Sequence, residues 1–175
     1  MAPLRPLLAG GDRRSQARSK EVLARVIDTP ALVDDLVTLT ADDDWLVSMR
    51  ALDLVEKLAH THREWIEPHK RLFIGPLADS DKWEIRLQVV RALPLFHWTA
   101  AERRRVVAIL TRDADFPQTF VKAWALDSLA TLAEKDARLL PIVRRHLRAF
   151  ERSGSKALAA RARRIAVRID GRRSD

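Results

Sequence analysis

Asp81-Lys-Trp-Glu-Ile-Arg86 has two counterparts elsewhere in the chain. Asp44 is followed by Arg50 and Asp115 by Lys122, each across a largely apolar interval. The three basic positions, 50, 86 and 122, lie 36 residues apart. A recurrence of that length is the signature of stacked helix pairs, each too small to bury its own apolar face.

The punctuation between these copies is that of helices. Thr29-Pro30 reads as a cap followed by proline in the first turn. Thr99-Ala-Ala-Glu102 has capping-box spacing, and Asp81-Lys-Trp-Glu84 shares it. Asp115-Phe-Pro117, Asp136 and Ser153-Gly-Ser155 are further starts, and Pro94 stops a helix. No segment alternates in the manner of a strand. Helices are predicted over 14–27, 30–40, 44–60, 63–78, 82–96, 99–112, 116–133, 137–150 and 155–169. The second helix of each pair is apolar nearly all round, as in Trp83, Ile85, Leu87, Val89, Val90 and Leu93, which predicts neighbours on most sides.

Asp-x(4–6)-[Arg/Lys] at the start of each second helix resembles the HEAT-repeat family of armadillo-type α-solenoids, over about residues 29–170. The resemblance implies an all-α fold: a short right-handed α-α superhelix of about four HEAT-like helix pairs with an N-terminal capping helix. It also implies that Asp44, Asp81 and Asp115 form a structural ladder with Arg50, Arg86 and Lys122. The fourth repeat departs from the pattern, with Ser153 or Ser155 in the acidic position and Arg161 as the nearest basic one. The expected organisation is a flexible basic N-terminus at 1–13, one solenoid domain at 14–170 and a flexible tail at 171–175.

The chain has 175 residues, 47% hydrophobic and 32% charged, so it has ample apolar surface for a core. It has no cysteine, which excludes disulfides and thiol chemistry within this sequence and fits a cytoplasmic location. No apolar run is long enough to span a membrane, and no membrane partner is expected. The net charge of +8 is uneven: residues 21–60 sum to −6 and residues 141–175 to +8. Such patches steer association and say nothing of the fold.

Several groups compete as sites. Arg50, Arg86 and Lys122 are either a basic line on the inner surface or the structural ladder. Trp45, Trp83 and Trp124, with Trp65 and Trp98, are either contact points for a partner or inter-repeat core. His60, His62 and His69 with Glu64 and Glu67 straddle a turn without a metal-binding motif, so no metal and no cofactor is expected. The Asp42-Asp43-Asp44 triplet precedes a helix, where capping accounts for it. Arg161, Arg164 and Arg168 share one helix face, with Arg172 and Arg173 beyond, and could meet phosphates.

Two functions stand. The first is a non-enzymatic binding or scaffold module, presenting a concave helical surface to a protein or peptide through Trp45, Arg50, Trp83, Arg86, Arg91, Lys122 and Trp124. The alternative is nucleic-acid binding through the basic C-terminal repeat. Its sharpest form resembles the alkyl-purine DNA glycosylases, with Trp83, Trp124 and Asp127 as candidates. No phosphate loop, nucleophile elbow or local carboxylate pair points to catalysis, and no catalytic residue is assigned.

Overall fold

A computed structural model describes residues 3–171. The described residues are helical and contain no strand. They fall into two compact units, divided between His97 and Trp98.

The first unit begins with α1 (Arg5–Leu8) and α2 (Ser19–Asp28). Two helix pairs follow. α3 (Val33–Thr38), flanked by 3₁₀ turns, precedes α4 (Trp45–Thr61). α5 (Arg63–Ile66) runs on through 3₁₀ turns to Asp79 and precedes α6 (Trp83–Ala92). α4 packs against α1, α2, α3, α5 and α6 and buries Val47, Ala51, Leu54, Val55 and Leu58. That enclosure is what its broad apolar surface requires, since each Val or Leu gains about 1.5–3 kcal/mol on full burial.

The second unit holds α7 (Ala100–Asp113), α8 (Thr119–Ala133), α9 (Leu140–Arg152) and α10 (Lys156–Gly171). α8 packs against α7, α9 and α10, and buries residues on all sides. The capping box of α7 forms as expected: Thr99 Oγ1 accepts from the Glu102 N–H (3.3 Å) and Glu102 Oε2 from the Thr99 N–H (3.1 Å).

The helix starts differ from expectation in instructive places. Asp44 does cap α4, accepting from the Leu46 N–H at 2.9 Å. Asp42 accepts from the Asp44 N–H and takes a two-pronged bond from Arg5 (2.7 and 2.9 Å), so two members of the acidic triplet organise backbone. Asp81 forms no box, because α6 begins at Trp83 after Lys82 and it is Ser80 that receives the Lys82 N–H. Thr29 makes no side-chain cap. The helix predicted over 63–78 is mostly 3₁₀, since Pro68 and Pro76 deny it donors and Gly75 breaks it.

Near the N-terminus, α1 packs against α2 and α4. Leu4, Leu7 and Leu8 are buried. Asp12 Oδ1 accepts from the N–H groups of Arg14 and Ser15 (2.8 and 3.1 Å), which holds residues 12–15 in a turn and delays α2 to Ser19. The tail from 172 onward, with Arg172 and Arg173, lies outside the described residues.

Candidate functional site

Arg50 is 3% exposed, and its guanidinium donates to four backbone carbonyls: Leu8, Gly10 (2.8 Å), Asp12 (2.8 Å) and Ser15 (2.9 Å). Gly10 and Gly11 have φ of +79° and +73°, the left-handed turn that brings these carbonyls round one cation. Arg50 therefore clasps the N-terminal segment and does not bond to Asp44. The other ladder members are equally separate in role. Arg86 donates to the Ser80 carbonyl at 2.5 Å, and Asp81 is exposed beside Lys82. Asp115 is exposed 3.4 Å from the buried His146. Burial pushes His146 below its ordinary value, and Lys122 and Arg145 push the same way against Asp115.

A ladder one repeat apart does exist, further along the second helices. Gln88 on α6 donates to Asp53 on α4 at 3.2 Å, and Lys57 meets the same carboxylate at 2.6 Å. Arg91 on α6 reaches Glu56 on α4 at 3.2 Å. In the second unit Arg161 on α10 pairs with Asp127 on α8. These partners are 35, 35 and 34 positions apart in sequence. Arg168 adds contacts to Asp127 (2.7 Å) and Glu134 (3.0 Å).

Glu56 is fully buried, with Oε1 shared by Arg91 and His60 (2.7 Å) and Oε2 without a hydrogen-bond partner. Desolvation pushes its carboxyl up, against the pull of Arg91 and His60. Among the described residues no three His, Asp or Glu side chains gather as a metal site. His60 is engaged with Glu56, His62 stacks on Trp65 at 4.0 Å and His69 lies 3.0 Å from Asp34.

All five Trp side chains are half-buried. Lys82 Nζ sits 5.8 Å from the Trp45 ring, and the Arg161 guanidinium covers Trp124 at 4.8 Å. Trp83 lines an open cleft of about 210 Å³ in the first unit. Met49 and Leu87 supply its apolar wall, and Arg13, Arg14, Asp53, Glu84 and Gln88 its polar one, with Arg50 at its base. Arg13 stands 3.8 Å from Glu84. Gln88, having given its N–H to Asp53, keeps an Oε1 with no hydrogen bond. Of the binding candidates, Trp83 and Arg50 therefore meet in one cleft. Trp45 lies beside Lys82, Arg91 is committed to Glu56, and Lys122 and Trp124 belong to the second unit.

The basic C-terminal repeat is less available than its composition suggests. Arg161 and Arg168 are bound to Asp127 and Glu134, and Arg144 lies 3.3 Å from Asp170. Only Arg164 of the three expected phosphate contacts is exposed. Asp127, the candidate of the glycosylase reading, is held between two guanidinium groups. The nucleic-acid alternative is not favoured by this arrangement.

No family model matches the sequence, and no curated protein does. Solved structures do match. A designed armadillo repeat protein in complex with the peptide (KR)4 has a TM-score of 0.66 and 16% identity, covering 95% of this chain and 80% of that one. An engineered protein gives a TM-score of 0.65 at 19% identity, covering 96% and 80%. A computationally designed armadillo repeat protein for modular peptide recognition gives 0.64 at 18%, covering 94% and 79%. The fold is therefore that of an armadillo/HEAT-type helical repeat protein. No helix among the described residues is long and apolar enough to cross a membrane.

Proposed function

We propose that the protein is a non-enzymatic binding module that takes a peptide segment of a protein partner on the face formed by α4 and α6. The observation that carries this reading is the Trp83 cleft, where a half-buried aromatic ring and two apolar side chains converge beside charged and amide groups. A bound chain supplies an apolar side chain for the wall of Met49 and Leu87. Trp45 on α4 and Arg86 and Arg91 on α6 belong to the two helices that carry this face. Arg50 contributes by fixing the loop that carries Arg13 and Arg14. The designed armadillo repeat protein seen with (KR)4 shows that a fold of this kind can hold a peptide.

Affinity capture with the intact protein, compared with Trp83→Ala, tests the reading. A protein partner whose affinity drops by about 2 kcal/mol or more in the variant, the scale of a hot-spot truncation, supports it. Recovery of no protein partner by a folded chain, or of a partner indifferent to Trp83, sinks it. Arg164→Ala serves as the control for capture by charge alone.

A further inference from the structure

The second unit has its own cleft, of about 410 Å³, between the first turns of α7 and the turn that precedes α9. Arg103, Arg104 and Arg138 line it together with a single carboxylate, Asp136. Asp136 is already used. Its side chain is 11% exposed, accepts the two-pronged Arg138 guanidinium (2.8 and 2.9 Å), and caps the turn through the Arg138 N–H at 3.2 Å. It stands 3.4 Å from Arg103 Nη2 without completing a hydrogen bond. Arg103 Nε and Nη2 are thus both buried donors with no hydrogen bond, Nη2 having only its ion pair with Asp136. Arg104 is exposed and its guanidinium makes no bond within the described residues. Three cations against one anion leave a local charge of +2. Val107 and Leu139 give the remaining wall an apolar character.

We propose that this cleft binds a phosphate monoester. A dianion balances the residual charge, and its three terminal oxygens match guanidinium forks better than the two of a carboxylate. The cleft is larger than a phosphate group, and its apolar wall accommodates the ester's organic part. This site shares no residue with the Trp83 cleft, so either proposal can fail alone.

The test is a thermal-shift titration of the full chain with inorganic phosphate, glycerol 2-phosphate and phosphoserine in separate arms, against acetate at matched ionic strength. The phosphate arms raise the melting temperature, because a ligand that binds only the folded state stabilises it. Acetate does not. Arg103→Gln/Arg104→Gln weakens the effect at least tenfold. Asp136→Asn keeps the turn-capping oxygen, removes the competing charge and tightens binding severalfold; a purely structural cluster has no reason to do so. The tighter of the two esters identifies the source as a phosphorylated chain or a small metabolite. An acetate shift equal to that of phosphate, an undiminished response in the double variant, or binding of free phosphate without either ester overturns the proposal. Should the double variant fail to fold, amide shifts in the wild-type chain decide. Phosphate-dependent shifts confined to 100–107 and 136–139 support the site, and their absence overturns it.

Discussion

The inter-repeat rung of the first unit and that of the second use the same chemistry in different surroundings. Glu56 is fully buried and has one arginine, Arg91, with His60 beside it, to offset its desolvation. Asp127 is 15% exposed and has two, Arg161 and Arg168, which are themselves 22% and 35% exposed. A buried carboxylate depends on its partner because the low-dielectric interior has no other means of stabilising it. A wetter one can fall back on water. The same contact across neighbouring second helices is therefore an obligate pair in one unit and a replaceable one in the other.

The largest effect should come from removing Arg91. Arg91→Met leaves the buried Glu56 with His60 alone and is expected to cost about 3 kcal/mol at neutral pH by urea denaturation, less in acid, where Glu56 can take up a proton. Asp127→Ala should cost about 1 kcal/mol, falling with added salt, because its arginines can be hydrated. Equal losses at the two sites would abolish the contrast.

The pH dependence sharpens it. Burial raises Glu56 above the ordinary glutamate value of 4.5, so the fold prefers the protonated form. Stability linked to Glu56 is therefore full below 4.5 and lost as pH rises through the folded value. Glu56→Gln mimics the protonated form, and its stability relative to wild type should improve with rising pH by an amount on the order of 1 kcal/mol. A difference that stays flat from acid to neutral pH would show that Glu56 is not desolvated. The smallest expected effect is that of Glu56→Met/Arg91→Met, within about 1 kcal/mol of wild type, since replacing both members of a buried pair removes charge and partner together.

The helix pairs were legible because they follow from local rules. The apolar surface of 82–96 announces enclosure whatever encloses it, and the Thr99–Glu102 box needs only its own backbone. The ladder was legible in period and misplaced in register. Asp44 is drawn to the nearer need of an unpaired N–H on its own helix, which leaves Arg50 to the carbonyls of residues 8–15. The rungs that form, Asp53 to Gln88 and Glu56 to Arg91, carry the 35-residue spacing in sequence. They stand out only once the crossing point of α4 and α6 is known. The Arg103–Asp136–Arg138 cleft had no local mark at all, because its residues come from two repeats and their meeting is a product of packing.

The clasp of Arg50 ties together positions that sequence alone keeps far apart. The Gly10-Gly11 turn has value only while a cation waits to receive its carbonyls, and a cation at position 50 is tolerable only while that turn exists. Each is a burden without the other. Among relatives of this chain the two should come and go together, so that a single alignment of diverged sequences would show Gly10, Gly11 and Arg50 changing as one evolutionary character.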